Sequence, residues 1–127
     1  MKYCMRAGDD TGLFLENVSI ADNFCARFWG LMGRKQIGME EGLFLKRVSC
    51  IHTCFMRFPI CAVYLDKNLC VVDKEVIRPW RCGKLCKGAA HVLEVHQEQW
   101  KNVRVSAKMV LESRGQEMSD GNGGDGR

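Results

Sequence analysis

The sequence predicts an α+β domain that is mostly β, with one main helix packed on an antiparallel, curled or barrel-like sheet of about five to seven strands. Three observations lead to this class. Short apolar segments separated by turn residues outnumber helical ones. A single stretch, residues 23–33, carries apolar side chains at clear helical spacing. Strands and helices do not alternate regularly, as they would in a parallel α/β fold.

The main helix is predicted from a capping sequence, an apolar stripe and a glycine. Ser19 stands where its side chain would accept a hydrogen bond from the backbone N–H of Asp22, as in a capping box. Phe24 and Phe28 then begin an apolar stripe with helical spacing. Gly33 stands where a left-handed residue would end the helix.

Six segments have the patterns of strands. Two of them, within residues 60–73, are predicted to form a hairpin around Lys67 and Asn68, because asparagine tolerates the positive φ of a tight turn. The run from Ile60 to Leu65 is apolar without alternation, which predicts a central strand that is covered on both faces. The last segment alternates apolar and polar residues, as a half-buried strand does. The other strands are predicted at residues 13–20, 42–45, 91–95 and 103–111.

The chain has 127 residues, a length at which one domain buries roughly two-thirds of its unfolded surface. Residues 1–112 are predicted to form that single domain. Residues 113–127 contain five glycines and almost no apolar side chains, so we expect a disordered tail.

Composition and charge argue against several classes of partner. The net charge is +4, but no run of five or more like charges suggests a nucleic-acid arm, so no nucleic acid is expected. The longest apolar run has six residues, whereas a membrane span needs about 20. The first residues lack the apolar core of a signal peptide, and a cytoplasmic location is therefore expected.

Eight cysteines raise the question of a metal or redox site. The pairs Cys50/Cys54 and Cys82/Cys86 each have three intervening residues, which zinc sites permit. In an extended strand, however, such a pair would be about 13 Å apart and could not share one metal. We favour separate thiols, while a four-thiol metal site and a redox pair remain open. Cys25, Cys61 and Cys70 lie in apolar stretches and are expected to pack in the core.

Several stretches together resemble a known family. They are residues 27–34 (RFWGLMGR), 42–45 (GLFL), 51–60 (IHTCFMRFPI) and 63–66 (VYLD), and the similarity continues through residues 79–81 and 92–94. In this order they are similar to domain-of-unknown-function family 192. The resemblance implies a compact, mostly β domain with one helix and no assigned reaction. The residues most characteristic of the family here are Gly30, Leu31, Met32, Arg34, Gly42, His52, Thr53, Met56, Pro59 and Asp66.

The chain departs from the family pattern at two places. The family usually has an acid directly after the isoleucine of the Pro-Ile step, where this chain has Cys61. The small residues that usually follow the Leu-Glu step are replaced by residues 95–97 (VHQ). If the family's site needs that acid, its activity is altered in this chain.

The leading interpretation is a domain that binds a small, possibly anionic, ligand beside the end of the helix. Cationic and polar side chains that converge on a hollow would suit a carboxylate or a phosphate. A protein–protein interaction module that docks through Trp29, Phe58 or Trp80 is the alternative, and a cysteine-based metal protein is a further one. No catalytic motif, metal or cofactor is identified, so enzymatic activity stays open. The expected ligand-binding residues are Arg34, His52, Thr53, Met56, Arg57 and Asp66.

Overall fold

The computed structural model describes residues 3–8, 12–21, 35–54 and 56–113. These residues form one curled sheet of seven strands, in the order β5-β4-β6-β3-β2-β1-β7, and a short 3-10 helix, η1. The mostly β class is therefore confirmed. The elements are β1 (Tyr3–Ala7), β2 (Phe14–Ala21), β3 (Glu41–Lys46), β4 (Ile60–Leu65), β5 (Val71–Ile77), β6 (His91–His96), η1 (Gln97–Asn102) and β7 (Met109–Ser113).

The sheet is mixed, so the prediction of an antiparallel sheet is wrong for one pair of strands. Strands β2 and β3 run parallel, with Val18 beside Gly42 and Ala21 beside Leu45. A tight turn forces its two strands to be antiparallel, whereas a long connection lets the second strand start from the same end. The long segment between Ala21 and Glu41 gives the chain that freedom.

The two ends of the sheet meet, which makes it barrel-like as expected. Backbone hydrogen bonds link the start of β5 to the residues before β7: the Val71 N–H donates to the Ala107 carbonyl at 2.9 Å and the Met109 N–H to the Leu69 carbonyl at 2.9 Å. Cys70 and Lys108 form a bridge between them. The curled sheet therefore has an inner face and an outer face.

Apolar side chains form one cluster on each face. The inner cluster includes Leu15, Phe44, Val63, Leu93 and Met109. The outer cluster lies between the strands β3, β6, β4 and β5 and the segments that cross this face of the sheet. We call these crossing segments the cover; they are residues 35–40, 47–54, 56–59 and 78–90. Every residue of β4 is buried, which confirms that this strand is covered on both faces.

The β4–β5 hairpin is confirmed, although its left-handed residue is not the one predicted. Leu69 has a φ of 66°, and Asn68 does not appear among the positive-φ residues. The Asp66 carboxylate stabilises the turn instead, because Oδ1 accepts the N–H groups of Asn68 at 2.8 Å and Cys70 at 2.9 Å. These backbone hydrogen bonds lower the pKa of Asp66, and the bond from the Cys70 N–H has the largest effect.

Other predictions have mixed outcomes. Ser19 was expected to cap the helix but lies inside β2, opposite Leu43. The helix predicted at residues 23–33 lies outside the described residues, as do Arg34, Cys25 and Trp29. The strand expected at residues 103–111 begins only at Met109, because Ser106 has a φ of 76° and interrupts it. No helix within the described ranges is long and apolar enough to span a membrane.

Candidate functional site

Two glutamates lie on the outer face of the sheet, one on each side of a small residue. Ala62 of β4 pairs with Glu94 of β6 and with Glu75 of β5. Directly paired residues share a face, so both carboxyl groups project toward the cover. Neighbouring strands are about 4.8 Å apart, which puts the two glutamate backbones roughly 10 Å apart with only a methyl group between them.

Glu94 is the buried acid of this pair. Its side chain is 6% exposed, and its neighbours on the same strand, Val92 and Val95, are completely buried. Burial raises the pKa of Glu94 to about 8. None of the described residues donates a hydrogen bond to its carboxyl group. A buried carboxyl in this position is protonated at neutral pH and can itself donate a hydrogen bond.

Glu75, in contrast, is well supplied with donors. The Tyr64 hydroxyl donates to Glu75 Oε2 at 2.5 Å, and the backbone N–H of Lys84 donates to the same oxygen at 2.8 Å. Burial and the neighbouring carboxylate raise the pKa of Tyr64 well above its usual range, burial having the larger effect. Tyr64 is therefore a permanent donor, and Glu75 is held as its acceptor.

An ion pair continues this polar group toward solvent. Lys84 Nζ contacts Asp73 Oδ2, and both side chains are partly exposed. The hydrogen bond from Lys84 is the main cause of the lowered pKa of Asp73. Because Lys84 also supplies its backbone N–H to Glu75, one residue of the cover contacts two acids of β5.

A short two-stranded ribbon, made of residues 51–53 and 81–83, joins two segments of the cover. The Thr53 N–H donates to the Arg81 carbonyl at 2.8 Å and the Gly83 N–H to the Ile51 carbonyl at 2.8 Å. His52 and Cys82 therefore form a non-hydrogen-bonded pair, whose side chains point to the same, solvent-facing side. Gly83 faces inward instead, where an added Cβ would lie 2.8 Å from the Tyr64 hydroxyl.

Thr53 is the centre of that ribbon. Its side chain is completely buried. Its hydroxyl donates to the Arg78 carbonyl at 2.5 Å and accepts the Arg81 N–H at 3.0 Å. Its own carbonyl accepts the Trp80 N–H at 2.9 Å. These bonds hold the loop after β5 against the segment before β4.

The remaining expected ligand residues are placed as follows. His52 is exposed, and its Nδ1 accepts the Cys54 N–H at 3.2 Å. Met56 is 5% exposed and packs in the outer cluster, whereas Arg57 is exposed. Asp66 uses its carboxylate in the β4–β5 turn. The structure thus brings His52, Thr53, Met56 and Arg57 together in the cover and places Asp66 outside it.

The cysteines do not converge on one point. Cys61 is buried in the inner cluster, as expected, and Cys70 is half-buried in its bridge with Lys108. Cys86 is buried in the outer cluster, whereas Cys50 and Cys82 are exposed. Within residues 3–8, 12–21, 35–54 and 56–113, no three His, Cys, Asp or Glu side chains are arranged to hold a metal ion.

Glu94 was missed as a candidate by the sequence analysis. The available signal was a single acid inside the apolar run of residues 92–95, VLEV. A charged residue in such a run is almost never fully buried unless it is paired, so this acid indicates a candidate site as well as His52 does. The Tyr64–Glu75 contact joins the neighbouring strands β4 and β5 of the hairpin, and it depends on the register between them.

Comparison with known proteins places the chain in an uncharacterised group. The DUF192 family model, described as "Uncharacterized ACR, COG1430", matches residues 6–113. The protein named UPF0127 protein PF1050 from Pyrococcus furiosus is 36% identical over 80 residues, which is 61% of this chain and 69% of that protein. UPF0127 protein PYRAB11210 from Pyrococcus abyssi is 37% identical over 81 residues, 61% of this chain and 68% of that protein.

Two solved structures share the fold. One, from Sinorhizobium meliloti 1021 and described as a "putative transcription regulator", has a TM-score of 0.71 and 19% identity, covering 87% of this chain and 91% of that one. The other, a protein of unknown function from Novosphingobium aromaticivorans, has a TM-score of 0.69 and 14% identity, covering 89% of this chain and 84% of that one. At these identities the likeness concerns the fold alone.

Replacing Thr53 tests whether its hydroxyl holds the cover in place. We expect Thr53→Val to lower the free energy of unfolding by about 1–3 kcal/mol, because the Arg81 N–H and the Arg78 carbonyl lose their partner. Thr53→Ser keeps the hydroxyl and should cost clearly less. Urea denaturation of the two variants measures the difference, and a loss for Thr53→Ser as large as that for Thr53→Val would contradict the dominant role of the hydroxyl.

Glu94 should make the stability of the fold depend on pH. Its folded pKa, about 8, lies above that of an unfolded glutamate, so the folded state keeps a proton that the unfolded state has lost. The contribution of Glu94 to the free energy of unfolding is therefore largest below about pH 4.5. It falls as pH rises and levels off above about pH 8. The total change is on the order of 4–5 kcal/mol.

The measurement compares wild type with Glu94→Gln in urea between pH 5 and pH 9. The glutamine has nearly the same shape and cannot ionise, so we expect a flatter profile and a more stable variant at pH 8. Glu112→Gln, at an exposed position of β7, is the matched control. Parallel stability profiles for wild type and Glu94→Gln would contradict the claim that the Glu94 carboxyl is protonated in the folded protein.

Proposed function

The chain belongs to the DUF192 family, which is described as uncharacterised, and we propose that its domain binds a small polar ligand against Glu94 on the outer face of the sheet. The observation that carries this proposal is the carboxyl group that is 6% exposed and receives no hydrogen bond from the described part of the chain. Leaving such a group without a partner costs about 1–3 kcal/mol, so buried polar groups in native proteins nearly always have one. A ligand that contacts Glu94 would supply a hydrogen bond that the described residues do not provide.

The protonation of Glu94 favours an oxyanion as this ligand. A protonated carboxyl donates one hydrogen bond, and a carboxylate or phosphate oxygen accepts it. Tyr64 and Lys84 are committed to Glu75, so Glu94 is the acid of this face whose proton is available. Ala62, which has a small side chain, is the residue of β4 directly opposite Glu94.

The residues expected from the sequence take different parts in this proposal. Arg34, His52 and Arg57 are proposed as the cationic groups that attract the anion. Thr53 and Met56 are proposed as supports of the cover, since the hydroxyl of Thr53 is fully used by the ribbon. Asp66 follows β4 and lies four residues beyond Ala62, roughly 13 Å along an extended chain, so the proposed site does not include it.

Ligand binding is tested by a thermal-shift screen of phosphate, acetate, succinate and citrate, followed by calorimetry with any anion that stabilises the protein. Wild type and Glu94→Gln should both bind, because the amide also donates a hydrogen bond. Glu94→Leu should bind about tenfold more weakly, which corresponds to one lost hydrogen bond of roughly 1.4 kcal/mol. For wild type the affinity should fall as pH rises through about 8, whereas Glu94→Gln should show no such fall.

The outcomes separate the alternatives. An affinity that rises with pH would indicate a cationic ligand instead of an anion, because the ionised carboxylate would then be the form that binds. Equal binding by wild type and Glu94→Leu would contradict a contact with Glu94. Glu112→Gln again serves as the control for a change of surface charge.

Protein–protein interaction remains the second candidate, and one observation favours it. Trp80 is 56% exposed, which is unusual for so large an apolar side chain, whereas Phe58 is only 9% exposed. Leu85, in the same part of the cover, is 70% exposed. Sedimentation velocity over a hundredfold range of concentration tests self-association through this surface. If Trp80 mediates self-association, wild type should dimerise and Trp80→Ser should stay monomeric. If both proteins stay monomeric, self-association through this surface is excluded.

A further inference from the structure

Two cysteines of the cover lie close together at the end of the ribbon. The Cys86 N–H donates to the Ser49 carbonyl at 3.2 Å. The Ser49 carbonyl carbon is bonded to the nitrogen of Cys50, so standard peptide dimensions put the Cα atoms of Cys50 and Cys86 within roughly 7 Å of each other. Disulfides usually join Cα atoms about 4.4–6.8 Å apart. The backbone spacing of this pair is therefore compatible with a disulfide.

Each of the two sulfur atoms contacts a backbone carbonyl of the cover, and Cys86 Sγ lies 3.8 Å from the Lys87 carbonyl oxygen. Cys50 Sγ lies 3.8 Å from the Gly83 carbonyl oxygen. Gly83 in turn packs against the Tyr64 hydroxyl, since an added Cβ there would lie 2.8 Å from it. Negative charge on Cys50 or Cys86 would add to the raised pKa of Tyr64, after the larger effects of burial and of Glu75.

We infer that Cys50 and Cys86 form a reversible disulfide through exchange with a low-molecular-weight disulfide such as oxidised glutathione. Cys50 is exposed and Cys86 is buried, which sets the order of the steps. The Cys50 thiolate attacks one sulfur of oxidised glutathione, forms a mixed disulfide and releases one glutathione.

The second step closes the protein disulfide. The Cys86 thiol gives its proton to solvent, and its sulfur attacks Cys50 Sγ, which breaks the mixed disulfide and releases the second glutathione, which takes up a proton. The protein loses two electrons and two protons, and the oxidised glutathione gains both. Burial raises the pKa of Cys86, so it attacks more slowly than a free thiol would, and this step should limit the rate.

The disulfide would fix the position of the cover over the Tyr64–Glu75 contact. It would join the segment before the ribbon to the segment after it, across a chain loop that contains β4 and β5. Cross-linking a loop of this length stabilises the folded state mainly by restricting the unfolded chain. We expect the oxidised protein to melt roughly 5–10 °C above the reduced one.

The experiment uses the full chain, first reduced and freed of reductant, and then incubated at pH 8 with oxidised or with reduced glutathione. Free thiols are trapped with N-ethylmaleimide, and the intact mass and the tryptic peptides are measured. Wild type treated with oxidised glutathione should lose two hydrogen atoms and give a cross-linked peptide that joins Cys50 to Cys86. Reductant should reverse both changes and the rise in melting temperature.

Variants identify the two roles. Cys86→Ser should stop at a stable glutathione adduct on Cys50, because the resolving thiol is gone. Cys50→Ser cannot form this disulfide, and its buried Cys86 should carry at least tenfold less glutathione than Cys50 does in Cys86→Ser. Cys82→Ser, at a neighbouring exposed position, is the matched control and should behave as wild type. Glutathione adducts without a cross-link in wild type, or a cross-link that joins Cys82 instead, would overturn the inference. Anion binding by Glu94 is measured on reduced protein and can fail or succeed independently.

Discussion

The burial of β4 on both faces is the constraint on which the rest of the structure depends. Cys61 and Val63 belong to the inner cluster, and Ala62 and Tyr64 to the outer one. A strand of this kind is stable only if both of its faces are covered. The closed curl of the sheet covers the inner face, and the cover segments cover the outer face. The polar groups of the candidate site must therefore lie inside an apolar layer rather than at an open edge.

The two glutamates beside Ala62 show how that layer treats polar groups. Glu75 and Glu94 come from strands on either side of β4, and both face outward. Glu75 is stabilised by Tyr64 and by the backbone of Lys84 and continues into an exposed ion pair. Glu94 is surrounded by apolar neighbours, and it responds by keeping its proton. The same residue type is thus an acceptor at Glu75, where donors reach it, and a donor at Glu94, where burial keeps it protonated.

Local signals predicted the local parts of this fold. The apolar run at residues 60–65 predicted β4, and Lys67 with Asn68 predicted the hairpin, although Asp66 and Leu69 shape its turn. The parallel pairing of β2 and β3 and the closure between Val71 and Ala107 join residues that are far apart in the sequence, and no short pattern encodes them. Strand β1 was missed for the same reason: it is held by β2 and β7 on either side rather than by its own composition.

The candidate site was predictable only in part. His52 and Thr53 stood out through the family resemblance, and the structure explains Thr53 by the bonds that it makes within the ribbon. Glu94 became a candidate only when the register showed that its side chain faces the outer cluster with no donor from the described residues. Whether a polar residue is satisfied depends on distant partners, so the sequence around it does not contain the answer.

The departure of this chain from its family at Cys61 acquires a physical meaning from the two faces of β4. Burial raises the pKa of Cys61 to about 12, so the thiol stays neutral and packs in the inner cluster as a small apolar group. Ala62, the next residue, faces the other way and contacts the row of Glu75 and Glu94. An acid at position 61 would therefore enter the inner cluster and would not approach Glu94. Cys61, in place of the acid that the family resemblance implies, therefore concerns the interior of the barrel rather than the outer face.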